Sequence, residues 1–188
     1  LQTIRIKVVL VGESGVGKSS LIKRFVYDEF DDHHVVTLGA KVVKKEVYPD
    51  IPGQAVRALM QIWDLMGAHT LRDLLQDSYF SGAQGALAVF DLGRPESLRY
   101  LDEWIRTVFQ VTGPIPIIIV GNKADLWDQG VLPRAKIDDL VRRRRSRLYT
   151  TSAKLGMNVD TVFTQLAGEV IRSILEARGV PPPPPPPS

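Results

Sequence analysis

The run Gly12-Glu-Ser-Gly-Val-Gly-Lys18-Ser19 constrains this chain more than any other stretch, because it follows an apolar β-branched segment at 4–11 and precedes a helical pattern over 18–27. A strand, a glycine-rich bend and a helix in immediate succession turn the helix N-terminus and several backbone N–H groups into one concavity that favours an anion. G-x-x-x-x-G-K-[ST] adds a cation that reaches outward and a hydroxyl able to ligate Mg²⁺. Gly12, Gly15, Gly17, Lys18 and Ser19 supply those parts. A chance glycine turn containing Lys-Ser would not require the flanking strand and helix, so the run reads as a phosphate-binding loop.

The remaining pattern continues the alternation of strand and helix. Residues 40–48 alternate as a half-buried or edge strand, 49–53 hold turn chemistry, and 56–63 return as the antiparallel partner in a hairpin. Residues 85–90 and 115–120 are short apolar runs suited to a sheet covered on both faces. Helices separate them: 95–110 places Leu98, Leu101, Trp104, Ile105 and Val108 at helical spacing, and 159–177 closes on Arg178 and Gly179. Repeated βα units imply an α/β fold, a mostly parallel sheet with helices on both sides. The 188 residues suit one domain, 1–180. Seven of the 13 prolines are Pro181 to Pro187, and 181–188 is a separate polyproline tail. Without backbone donors and with fixed φ, it predicts a polyproline II segment of about 20 Å. Two readings fit it: a ligand for the aromatic-lined groove of a polyproline-binding partner, or a disordered tail.

Composition narrows the class. No apolar run approaches a membrane span, there is no secretory signal pattern, and there are no cysteines for disulfides, thiolate metal sites or lipid anchors. A cytoplasmic protein is expected. Net charge is +3, and Arg142, Arg143, Arg144, Arg145 and Arg147 account for it; the rest of the chain is slightly acidic. No nucleic-acid binding is expected from one local cluster. The cluster reads either as a solvated helix face or as a contact for an acidic partner or an anionic membrane surface, which would make the protein membrane-peripheral.

The phosphate loop leaves the base open, and Asn122-Lys123-Ala-Asp125 addresses it. These residues follow an apolar strand, at the end where ligands sit in doubly wound sheets. A carboxylate there accepts two hydrogen bonds from the N1–H and exocyclic amine of guanine, whereas adenine would set an acceptor against it, a mismatch on the order of 1 to 3 kcal/mol.

Gly12 to Ser19, Thr37, Asp64-Leu-Met-Gly67, Asn122 to Asp125 and Thr151-Ser-Ala-Lys154 resemble, in order and spacing, the Ras-superfamily small GTPases, closest to Rab-like and archaeal Ras-like members. The resemblance implies a P-loop NTPase fold with a Ras-like six-stranded sheet of order 2-3-1-4-5-6, one antiparallel edge strand, and helices on both faces. It implies a molecular switch that binds GTP/GDP with Mg²⁺ and hydrolyses GTP. Ser19 and Thr37 would ligate the metal, Asp64 would hold a metal-bound water, and the backbones of Thr37 and Gly67 would touch the γ-phosphate. With Lys18, Thr37 and Gly67 form the catalytic set. Ser14, Gly15, Val16 and Gly17 belong to the phosphate cradle, and Ser20 reaches the α-phosphate. Phe30 would cover the guanine edge-on, although a core aromatic is its default. Lys123 would lay its stem over the ring, Ala153 would donate a backbone N–H to the base oxygen, and Ser152 and Lys154 share that loop. Segments 31–39 and 66–78 would be the switches, read by an effector, an exchange factor and an activating protein.

Two departures matter. The residue after Gly67 is Ala68, where the family usually has a glutamine that orients the attacking water, and His69 follows. Slow intrinsic hydrolysis is predicted. Three accounts compete: a partner supplies the missing group, the substitution traps GTP, or His69 takes over the water. The stretch between Thr37 and Asp64 is also longer than in compact members, with the surplus around 49–54, and reads as a longer hairpin. A GTP-holding scaffold without meaningful catalysis and an ATP-using P-loop enzyme remain the alternatives.

Overall fold

Side-chain alternation along the strands sorts the core into two layers. The computed structural model describes residues 1–31, 40–65, 77–127 and 134–181. In chain order the elements are β1 (Gln2–Val11), α1 (Lys18–Tyr27), β2 (Ala40–Val47), β3 (Val56–Leu65), β4 (Gly85–Asp91) and α2 (Pro95–Arg99). They continue with α3 (Leu101–Thr112), β5 (Ile117–Asn122), a 3₁₀ turn (Ala124–Leu126), α4 (Arg134–Arg144), β6 (Arg147–Thr150) and α5 (Val159–Ala177). The sheet order is β2-β3-β1-β4-β5-β6, with β2 and β3 antiparallel and every other pair parallel, as the resemblance implies.

β1 sends Ile4, Ile6, Val8 and Leu10 to one layer and Val9 and Val11 to the other. β4 divides Leu87 and Val89 from Ala86, Ala88 and Phe90, and β5 divides Ile118 and Val120 from Ile117 and Ile119. The first layer is closed by α1 and α5, through Leu21, Ile22, Phe25, Phe163, Leu166 and Ile171. The second is closed by α2, α3 and α4, through Leu98, Trp104, Ile105, Ile137 and Leu140. Every residue of β4 and β5 is consequently buried, which is why both read as unbroken apolar runs. Phe25 and Phe163 stack face to face, with centroids 4.2 Å apart, and lock α1 to α5.

Three local expectations change. The helix expected over 95–110 is two helices that meet at Tyr100. The Ser97 hydroxyl, which accepts from Asp91 N–H at 2.8 Å and donates to the Arg94 carbonyl at 2.7 Å, ties the first turn to the end of β4. β5 starts at Ile117 rather than at 115, since Pro116 has no N–H for the ladder, although its carbonyl still accepts from Ala86 at 3.0 Å. Only Arg142 to Arg144 of the arginine cluster lie on α4; Arg145 adopts a left-handed φ of 49° and Arg147 opens β6.

That cluster largely meets the chain's own acids. Arg144 donates to Asp102 at 2.6 Å, and Arg143 approaches the same carboxylate at 3.4 Å. Arg142 and Arg143 bond Asp139, and Arg147 lies 3.7 Å from Glu169. Burial opposes ionisation of Asp102, but the bond and charge of Arg144, with Arg143 and Arg106 beside it, hold its carboxyl below the usual range. The pairs join the acidic start of α3 to the basic end of α4, which suits both helix dipoles.

The longer β2–β3 connection is packed rather than loose. Pro49 and Ile51 are buried, Ile51 within the first core layer, and Pro49 lies against α5 at Gly168. Gln54 N–H closes the turn on the Ile51 carbonyl at 2.9 Å. Among the described residues no helix is long and apolar enough to cross a membrane. Phe163→Ala removes a fully buried ring and its stacking partner; the expected loss, read from the urea midpoint, is about 3 to 5 kcal/mol.

Candidate functional site

The carboxyl ends of β1, β3, β4 and β5 open on one edge of the sheet, and the described parts of the motifs, 12–19, 64–65, 122–125 and 151–154, arrive there. The bend after β1 presses hard against its neighbours. Gly12 has φ 142° and a Cβ there would overlap the Val89 carbonyl, while Gly17 has φ 100° and a Cβ would overlap the Asn122 amide. Neither conformation suits another residue, so both glycines are required by backbone geometry and by space.

The carbonyls of the bend are held from outside. Arg94 donates to Ser14 O at 2.6 Å, Lys123 to Gly15 O at 2.7 Å and Asn122 to Val16 O at 3.0 Å. In a trans peptide the following N–H points opposite its carbonyl, so the N–H groups of Gly15, Val16 and Gly17 face away from these donors, as an anion-binding concavity needs. Lys18 is buried, and its Nζ donates to Gly12 O at 2.8 Å and Glu13 O at 2.9 Å. Burial pushes its pKa down to about 8 from 10.5; the charges of Asp64 and Glu13 act to raise it and Arg94 to lower it.

Ser19, in the first turn of α1, places its hydroxyl on the Asp64 carboxylate at the end of β3. A hydroxyl and a carboxylate converging beside the loop are hard oxygen donors, the chemistry Mg²⁺ takes. Among the described residues no group of three or more His, Cys, Asp or Glu could hold a metal. The remaining ligands of an ion at Ser19 and Asp64 would come from outside such a cluster, which suits a cation shared with phosphate oxygens and water.

On the other flank, Asn122 is 1% exposed and accepts from the Thr151 hydroxyl at 2.9 Å while its amide holds Val16. Lys123 has a left-handed φ of 64°, and its Nζ bridges Gly15 O and, at 3.0 Å, the Asp91 carboxylate. Asp125 is exposed, with the Ser152 hydroxyl donating to it at 2.7 Å. Ser152 also accepts from Leu155 N–H at 3.1 Å. Arg24 donates to the carbonyls of Ala153 and Lys154 at 2.8 and 2.7 Å and so ties that loop to α1.

Gly12, Ser14, Gly15, Val16, Gly17, Lys18, Ser19, Ser20, Asp64, Asn122, Lys123, Asp125, Ser152, Ala153 and Lys154 thus border one edge. Phe30 is half-buried and packs against the first core layer. Thr37, Gly67, Ala68 and His69, most of both switch segments and Pro182 to Pro187 lie outside the described residues. Sequence reasoning did not single out Arg24, Asp91 or Arg94, and it named Trp104 only for the apolar face of a helix, not for its indole N–H, which donates to Glu13 at 2.9 Å. Asp91 could have been found as an acid closing an apolar strand; the others carry no such sign.

Residues 7–172 match the Ras family. Rab-13 of Bos taurus is 31% identical over 166 residues, 88% of this chain and 79% of that protein. The rab-11.1 protein of Caenorhabditis elegans is 32% identical over 169 residues, 89% and 78% respectively. The GTP-binding protein yptV2 of Volvox carteri is 36% identical over 168 residues, 88% and 75%.

The buried Lys18 makes stability depend on pH. Its folded value of about 8 lies below the ordinary 10.5, so between those values the unfolded chain binds more protons and stability rises with pH. Urea unfolding of ligand-free protein from pH 8 to 10.5 is expected to show a Lys18-dependent gain on the order of 3 kcal/mol at most, absent in Lys18→Met. Identical slopes in parent and variant would remove burial as the dominant influence on this lysine.

Proposed function

The chain belongs to the Ras family as a Rab-like small GTPase that binds and hydrolyses GTP, and from that premise we propose how its residues divide the work. The observation that carries the reading is the Asn122 side chain, which fixes the loop ending at Lys18 beside the strand end bearing Asp125. One groove can then hold a polyphosphate and a planar base together.

Asp125 accepts the N1–H and amine of guanine, with Ser152 aiming its carboxylate. Lys123, pinned by Gly15 and Asp91, lays its stem over the ring, and Ala153 offers its N–H to the base oxygen from a loop steadied by Arg24. Phe30 covers the open edge. Gly12, Ser14, Gly15, Val16 and Gly17 present backbone to the phosphates, Ser20 takes the α-phosphate, and Lys154 borders the base-side loop. Lys18 exchanges the carbonyls of Gly12 and Glu13 for oxygens of the terminal phosphates, where its charge offsets what accumulates during transfer. Ser19 and Thr37 hold the metal directly and Asp64 does so through water. Mg²⁺ held by Ser19, Thr37 and Asp64 would supply positive charge to offset that of the phosphates. Thr37 and Gly67 contact the γ-phosphate through their backbones, so its departure releases 31–39 and 66–78 for an effector, exchange factor or activating protein to read.

Ala68 has no side-chain hydrogen bond to give the attacking water, so turnover is slow until a partner assists. The same residue favours the second reading, a GTP-holding scaffold. A polyproline-binding partner is proposed for Pro181 to Pro187. The cytoplasm is the proposed location, with membrane association through a partner or through the arginine cluster.

Asp125→Ala is expected to cut the preference for GDP over ADP by about 1 to 3 kcal/mol, five- to 150-fold, in competition against fluorescent GDP. Retained selectivity would sink the assignment of the base. Ala68→Gln should raise the single-turnover rate by roughly tenfold or more; an unchanged rate would clear Ala68 of responsibility for slow hydrolysis.

A further inference from the structure

The bend between β4 and α2 is held more firmly than a connection of this length requires. Ser97, 1% exposed, accepts from Asp91 N–H and donates to the Arg94 carbonyl. The Asp91 carboxylate takes the Gly93 N–H at 2.9 Å, and Arg94 N–H bonds the Asp91 carbonyl at 3.0 Å. These contacts fix the backbone of Arg94, and its guanidinium reaches the phosphate loop at Ser14 O, 2.6 Å away. Trp104 holds the adjoining Glu13 side chain from the same side. Asp91, which anchors the bend, also pairs with Lys123, so one carboxylate steadies the loop's two outer cations.

We propose that Arg94 is a positioning residue for the terminal phosphates, a cation supplied by this chain to the outer wall of its own phosphate loop. The proposal rests on the nucleotide-binding reading of the groove. Bonded to the Ser14 carbonyl on the side away from the loop's N–H groups, the guanidinium acts on a bound phosphate through the loop it holds and through its charge. It also lies close enough to Lys18 for the two charges to repel. A polyanion seated on the loop relieves that repulsion, and a triphosphate relieves it more than a diphosphate because its additional charge lies at the outer end. Transfer of the terminal phosphoryl group depends on positioning and electrostatics.

The test compares parent, Arg94→Ala and Arg94→Lys for affinity toward GDP and a non-hydrolysable GTP analogue, and for single-turnover GTP hydrolysis. Arg94→Ala is expected to weaken the triphosphate relative to the diphosphate about fivefold and to slow hydrolysis about tenfold, with Arg94→Lys recovering part of the affinity ratio. Equal weakening of both nucleotides, accompanied by a lower melting temperature, would make the Ser14 contact a structural clamp and overturn the proposal. An affinity ratio and rate within about twofold of the parent would overturn it as well. If the parent instead prefers adenine nucleotides, the assignment of the base fails, and the tri- to diphosphate ratio is read on that nucleotide with the same criteria.

Discussion

A single buried amide sets the spacing of the whole groove. Asn122 ends β5, sits in register with Asp91 at the end of β4, and spends its donor on Val16 and its acceptor on Thr151. A planar amide has its donor and acceptor at a fixed separation. The loop after β1 and the loop after β6 therefore cannot drift apart without leaving a desolvated polar group unsatisfied, a cost of about 1 to 3 kcal/mol. Gly17 completes the constraint from the other side, because only a residue without Cβ lets the loop come so close to that amide.

From that seat outward, order is passed along backbone carbonyls rather than between side chains. Residues 12–16 each have a carbonyl engaged by Lys18, Arg94, Lys123 or Asn122, drawn from α1, the bend after β4 and the end of β5. The loop is thus held in shape before any ligand arrives. This arrangement also explains the depressed Lys18: burial in the free loop works against its charge, and an incoming polyanion would restore it.

Membership of a compact motif separates what was legible in the sequence from what was not. Gly12 to Ser19 and Asn122 to Asp125 stood out by their residue types and spacing, and Thr151 to Lys154 through the resemblance; all three segments lie at one edge of the sheet. The strand order came from resemblance, whereas helices on both faces followed from the apolar runs at 85–90 and 115–120 and from the repeated βα units; the division of alternate residues between two layers is seen in the structure. Arg24 and Arg94 escaped notice because a side chain that bonds a distant carbonyl leaves no pattern in its own neighbourhood, whereas Asp91 was legible as an acid closing an apolar strand. The division of the 95–110 helix was hidden because apolar spacing runs on through Tyr100, where α2 ends and α3 begins. The arginine cluster looked like a free charged surface until Asp102, Asp139 and Glu169 were brought to it from elsewhere in the chain or along the same helix.

The β2–β3 hairpin is moored at one end and open at the other. Pro49 and Ile51 fasten its tip into the protein beside α5, while Ala40 and Leu65 face each other across the opposite end of the ladder. The hairpin therefore begins and ends, at Ala40 and Leu65, on one and the same rung. A docking protein could meet both strand ends within a single footprint, and a pull on either would act as shear along the ladder, resisted by the mooring at its far end.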